Sequence, residues 1–96
     1  MNKLSIIIPV FNEKDTIQQL LHFVGKSNIG AIDKEIIIID DFSTDGTRNL
    51  LKQFESENKY NIFYHEKNLG KGAAVKTGLS HVTGDYVIIQ DADLEY

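Results

Sequence analysis

The chain has 96 residues, enough for one small domain, and its 42% hydrophobic and 25% charged content is ordinary for a globular fold. A net charge of −4 argues against general nucleic-acid binding, which needs a basic face. The lack of cysteine excludes disulfides and thiolate metal sites, and no apolar run is long enough to span a bilayer.

Met1-Asn2-Lys3 leads straight into an apolar stretch with no signal-peptide layout, so the expected location is the cytoplasm. Leu4 to Val10 is rich in isoleucine and reads as a buried strand. Asn12 is the expected cap of a first helix, with Asp15 as its reciprocal partner three positions on. Ile17, Leu20, Leu21 and Val24 then form one apolar helical face. Gly25 to Lys34 reads as loop. Glu35 to Ile39, with four consecutive isoleucines, predicts a central strand covered on both faces. Asp40 to Gly46 is loop, and Thr47 to Glu57 a second helix with Leu50, Leu51 and Phe54 facing inward. Ile62 to His65 is a short third strand. Glu66 to Gly72 is loop, and Val75, Gly78, Leu79 and Val82 mark a third helix. Thr83 to Asp85 turns into a fourth buried strand, Tyr86 to Gln90, which ends at Asp91-Ala92-Asp93.

This β-α-β-α-β-α-β alternation predicts an α/β fold with a mostly parallel sheet and right-handed crossovers. In such a sheet, ligands bind beyond the carboxyl ends of the strands. The strand-to-helix loops on that edge carry Pro9 to Glu13, Asp40 to Gly46, Glu66 to Gly72 and Asp91 to Asp93. The opposite edge carries ordinary turns. Acids and a Gly-Lys-Gly thus collect on one rim, as converging chemistry requires.

Asp91 and Asp93 can share a hard cation, Mg²⁺ or Mn²⁺, with positions left for phosphate oxygens; a solvated turn is the plain alternative. Asp40 and Asp41 suit helix-dipole compensation, or acceptance of hydrogen bonds from a base or ribose. They also resemble a Walker B strand end, but the phosphate loop of that class is missing. Gly70-Lys71-Gly72 allows backbone approach and offers a point charge to phosphate. Its half-match to a dinucleotide fingerprint follows the wrong strand and carries no weight. Gly78 suggests close helix–sheet packing. Tyr60, Tyr64 and Tyr86 read as packing residues, and His22, His65 and His81 show no ligand spacing.

Ile6-Ile7-Ile8-Pro9-Val10-Phe11-Asn12-Glu13, then Ile39-Asp40-Asp41-x-Ser43-x-Asp45-Gly46-Thr47, Asn68-Leu69-Gly70-Lys71-Gly72 and Asp91-Ala92-Asp93 resemble family 2 glycosyltransferases of the GT-A fold. The order is most similar to the polyprenyl-phosphate sugar transferases, such as dolichyl-phosphate mannose synthases. The resemblance covers nearly the whole chain. It implies that residues 1–96 are the Rossmann-like, nucleotide-sugar-binding half of a GT-A domain, ending just after the Asp-x-Asp, and inactive alone. It implies a GDP- or UDP-sugar donor, inversion at the anomeric carbon, and a lipid phosphate (polyprenyl phosphate) or glycan acceptor, at the cytoplasmic face of a membrane in a longer protein.

By the same resemblance, Pro9, Phe11 and Glu13 line the nucleoside pocket, and Ile39 and Asp41 frame base and ribose. Lys71 stands near the base or diphosphate, and Ala92 lies close to the nucleotide. Asp91 and Asp93 bring Mg²⁺ or Mn²⁺ to the diphosphate. Glu95 sits where the polyprenyl-phosphate branch often has glutamine as a further ligand, and Phe42 where a small residue is common. Three rivals remain: a nucleotidyltransferase, which would want a Gly-rich basic loop after the first strand, a Mg²⁺-binding receiver-like signalling domain, which would want its acid pair there, and a purely structural or regulatory nucleotide-binding fragment.

Overall fold

The computed structural model describes residues 2–26, 33–57 and 60–92. The chain runs β1 (Lys3–Val10), α1 (Ile17–Lys26), β2 (Asp33–Asp40), α2 (Thr47–Phe54), β3 (Tyr60–Tyr64), α3 (Lys71–Leu79) and β4 (Tyr86–Ile89). The strands form one sheet in the order β3-β2-β1-β4, and every pairing is parallel. This is the α/β arrangement expected from the alternation.

The isoleucine runs explain the layers. Successive strand residues face opposite sides of a sheet. Ile6, Ile8, Val10, Ile36 and Ile38 therefore meet Ile17, Leu20, Leu21 and Val24 of α1 and Leu51 and Phe54 of α2. Ile37 and Ile39 face the other way, with Ala74 of α3, Phe63 and Val82. Full burial of each such side chain is worth about 1.5–3 kcal/mol. Right-handed crossovers from β1 to β2 to β3 put α1 and α2 on one face. The return to β4, on the far side of β1, puts α3 on the other. Gly78 lets α3 lie close on β1: a Cβ there would be 2.6 Å from Cγ2 of the fully buried Ile7.

Several expectations are corrected. Asn12 does not cap α1, which begins at Ile17; its backbone is left-handed (φ 52) and its polar atoms serve another loop. Strand β2 begins at Asp33 because its pairing with β1 extends back to Lys3. Strand β4 is not buried: Tyr86, Val87, Ile88 and Ile89 are 39–55% exposed. It is an edge strand, and α3 packs on β1 and β2 instead. Tyr86 is therefore no packing residue, whereas Tyr60 is buried and its hydroxyl donates to Leu21 O. Helix α1 also runs through Gly25 to Lys26 and α3 stops at Leu79, before Val82.

The Thr83–Asp85 turn, expected to be ordinary, is latched to the sheet. The buried Ser5 hydroxyl donates to Glu35 and accepts from Gly84 N–H at 2.9 Å. Thr83 N–H and its hydroxyl also donate to Glu35, and Asp85 exchanges hydrogen bonds with the Lys3 backbone. Burial alone would raise the Glu35 pKa, but these donors and the Lys3 charge hold it below the usual value. No helix among the described residues is long and apolar enough to cross a membrane.

Candidate functional site

The strand order reverses between β1 and β4, and the carboxyl ends of these strands diverge into the crevice where such sheets bind ligands. Loops from β1, β2, β3 and β4 all meet there. Their placement depends on a set of hydrogen bonds between the first and second loops. Asn12 N–H donates to Ser43 Oγ at 2.9 Å, and Asn12 Oδ1 accepts from Thr44 N–H at 2.8 Å. Glu13 N–H donates to Oγ1 of the buried Thr47 at 2.9 Å, and Lys14 N–H to Asp45 Oδ2 at 3.3 Å. Asp45 also accepts from Thr47 N–H at 3.0 Å, satisfying a donor at the start of α2. Burial opposes ionisation of Asp45, yet its Thr47 and Lys14 donors hold its pKa below the usual range. The polar run Ser43 to Thr47 thus acts as a template for the first loop, which carries Pro9, Phe11 and Glu13.

Asp40 and Asp41, adjacent at the end of β2, point to opposite layers, as strand alternation demands. Asp40 is fully buried and pairs with Arg48 Nε of α2 at 3.0 Å. The same guanidinium donates to His65 O and sits between the rings of Phe42 and Tyr64, with centroids at 5.6 and 5.0 Å. Asp40 is structural. Phe42 takes a left-handed backbone (φ 65), a conformation natural to glycine, and its contact with Arg48 gives it a reason to be there.

Asp41 turns toward α3. Its Oδ1 accepts from Leu69 N–H at 2.8 Å and lies 2.8 Å from His65 Nδ1; its Oδ2 accepts from Gly70 N–H at 2.8 Å. Burial would raise its pKa, but these three donors outweigh it and hold the carboxyl below its usual range. Gly70 precedes α3 with φ 98 and ψ 163, a region open essentially to glycine alone. Cβ atoms built at Gly70 and Gly72 would meet nothing within 4 Å, so both leave the start of α3 uncovered.

These loops enclose a cleft of about 330 Å³, within the usual size range of small-ligand sites. Pro9, Phe11 and Glu13 line it from β1, and Asp41 from β2. Lys71 faces them from α3, and Asp91 and Ala92 from the end of β4. Gly70 lines it as its expected backbone approach requires, and Val10, Asn68 and Ala74, which the sequence did not single out as ligand contacts, complete much of the wall. Ile39 does not reach it; it is fully buried in the α3-side core. Asp93 and Glu95 lie outside the described residues. His65 touches the site through Asp41 and was missed; the signal was register. Ile39 pairs with Phe63, so Asp41 and His65 are the next pair on that face.

Lys71 Nζ forms an ion pair with Asp91 Oδ1 across the cleft, both side chains more than half exposed. Among the described residues, no three histidines, cysteines or acids gather to hold a metal. The donor chemistry nonetheless suits a hard cation: Asp91 is an accessible carboxylate at the rim, and the next acids follow at Asp93 and Glu95.

The model of a family described as Glycosyl transferase family 2 matches residues 5–96. Among solved structures, a mannosyltransferase (PcManGT) from Pyrobaculum calidifontis in complex with GDP-Man and Mn²⁺ is 28% identical, with a TM-score of 0.84 over 94% of this chain and 27% of that one. S. aureus TarS is 27% identical, with a TM-score of 0.82 over 95% of this chain and 16% of that one. Glucosyl-3-phosphoglycerate synthase from Mycobacterium tuberculosis, in complex with Mn²⁺, UDP and phosphoglyceric acid, is 27% identical, with a TM-score of 0.75 over 96% and 33%. The chain spans at most about a third of the length of these three relatives. The parallel sheet is that of the Rossmann-like N-terminal half of a GT-A fold, and the chain belongs to glycosyl transferase family 2.

Proposed function

We propose that residues 1–96 form the nucleotide-sugar donor half of a metal-dependent, inverting glycosyltransferase domain. The observation that carries this reading is the cleft itself: Asp41, Lys71 and Asp91, from three different loops, line one crevice at the switch point of the sheet. A nucleoside diphosphate calls on all three chemistries: an acceptor for base or ribose, a cation for phosphate and a carboxylate for a metal. Phe11, 44% exposed at the rim, offers a flat apolar face to a base. Asp41 accepts a hydrogen bond from a base N–H or ribose hydroxyl. Glu13, on the same wall, accepts from a ribose hydroxyl in this reading. Lys71, in the first turn of α3, meets the phosphates as a point charge, with the uncovered helix start behind it.

Lys71 can change partner at small cost, because an exposed ion pair such as Lys71–Asp91 is worth only about 0–1 kcal/mol. Asp91, with Asp93 and Glu95, would hold Mg²⁺ or Mn²⁺. When bound, that ion supplies neutralisation of the charge gathering on the departing diphosphate. The solved relatives crystallised with GDP-Man and Mn²⁺, with UDP-GlcNAc, and with UDP and Mn²⁺ support a donor of this class. The motif resemblance favours a polyprenyl phosphate acceptor, whose anionic oxygen needs no general base; a sugar hydroxyl would need one. The acceptor side is assigned to the part of the relatives' length that these residues do not span.

The test is a thermal-shift panel of UDP, GDP, CDP and ADP, with and without Mn²⁺. A ligand held by the native state stabilises it by RT ln(1 + [L]/Kd), about 2.7 kcal/mol at a hundredfold excess over Kd. UDP or GDP is expected to raise the melting temperature, and more so with Mn²⁺. No shift with any of the four refutes the reading.

A further inference from the structure

We infer that His65 is a positioning residue, which fixes the Asp41 carboxylate in the orientation that selects the base. This rests on the donor-site reading above. His65 follows the last residue of β3, and its N–H continues the ladder onto Asp40 O at 2.8 Å. Alternation carries its ring to the α3 face, beside Asp41, where the side chain is only 10% exposed. Nδ1 lies 2.8 Å from Asp41 Oδ1, and Nε2 lies 2.9 Å from Thr77 Oγ1 on α3. An ionised carboxylate only accepts, so Nδ1 carries a proton. The Thr77 hydroxyl, free to rotate, then donates to Nε2.

A carboxylate offers about four acceptor positions. On Asp41 three are filled: two on Oδ1, by His65 and Leu69 N–H, and one on Oδ2, by Gly70 N–H. The one remaining is on Oδ2, and Asp41 lines the cleft. Donors on both oxygens stop the group from turning, so the ligand meets a fixed acceptor with no donor capacity. Such a site favours a base with a ring N–H, as in uracil or guanine, over cytosine or adenine, whose ring nitrogen there is bare and repels the carboxylate, leaving only the exocyclic amine to donate. His65 touches no ligand in this scheme. It acts by denying Asp41 any other orientation, and the Thr77 bond ties that constraint to α3, the helix that carries Lys71.

The experiment is calorimetric titration of UDP, GDP, CDP and ADP into the parent chain, His65→Phe and His65→Asn. Phenylalanine keeps a ring and removes the donor. Asparagine removes the ring and keeps an N–H near the Nδ1 position. The expected result is that His65→Phe weakens the preferred nucleotide about tenfold and narrows its margin over CDP and ADP, while His65→Asn restores most of both. Two variants that melt earlier yet keep the parent's selectivity overturn the role. If His65→Phe does not fold, ¹⁵N imidazole spectra of the parent chain decide. A protonated Nδ1 supports the role, and a proton on Nε2 alone overturns it. Parent chain that binds none of the four nucleotides overturns the donor-site reading and this inference with it. Parent chain that binds UDP or GDP beside an unchanged His65→Phe overturns the His65 role alone.

Discussion

Replacing Gly78 by alanine tests the close approach of α3 to the sheet. In an exposed helix interior this change is favourable by about 1 kcal/mol, because glycine is the poorer helix former. Here the new Cβ would lie 2.6 Å from Ile7 Cγ2, 3.2 Å from Cγ1 and 3.3 Å from Cδ1, where ordinary contact begins at 3.4 Å. Ile7 has nowhere to go. It is fully buried on β1, which is paired on both sides, with β2 and β4. Overpacking of this kind costs about 1–3 kcal/mol. Less the propensity gain, the variant should lose about 0–2 kcal/mol, and its melting temperature should drop by about 4–8 °C for each kcal/mol lost. Urea unfolding followed by circular dichroism should show a lower midpoint with an unchanged slope. The pair Ile7→Ala and Gly78→Ala should cost less together than the sum of the two alone, by at least about 1 kcal/mol, since the first makes room for the second. Because α3 carries Gly70 and Lys71 into the cleft, Gly78→Ala should also weaken nucleotide binding. A variant about 1 kcal/mol more stable than its parent, the full propensity gain, would refute the packing argument.

In the complete enzyme, Asp93→Asn should lower turnover by about 10²–10³-fold, on the scale of losing one electrostatic stabiliser; near-normal Mn²⁺-dependent turnover would rule the role out. Lys71→Ala should weaken UDP or GDP roughly tenfold while leaving the bare nucleoside nearly unaffected, and an equal loss for both would move Lys71 off the phosphates. The Glu35 pKa is lower in the fold than its usual 4.5, so its contribution is present above that value and is lost as pH falls through the folded value. Glu35→Gln should therefore be less stable than the parent at neutral pH and show a shallower acid loss. Parallel acid-unfolding curves for the two would contradict the latch.

Most of the architecture was legible because apolar periodicity reports strand and helix directly: the seven elements, their order and the crowded rim all follow from it. What sequence hid depends on partners far away along the chain. Asn12 has the chemistry of a helix cap, but its donor and acceptor groups meet Ser43 and Thr44, some thirty positions on. The run Tyr86-Val87-Ile88-Ile89 reads as buried whether or not anything covers it, and only the strand order reveals it as an edge. Ile39 and Asp41 share a face, yet burial separates a core residue from a rim residue in a way that motif spacing does not. His65 carried no motif at all. Its place follows only from combining strand alternation with the pairing of β2 and β3.

The two aspartates that end β2 differ in what can be done with them. Asp40 anchors a cation-bearing helix below the sheet, whereas Asp41 and its histidine prop work above it. On the donor-site reading, Asp41, His65 and Thr77 vary as one unit of side chains, since the neighbouring Asp40–Arg48 pair faces the other layer and meets this set only at the His65 backbone carbonyl.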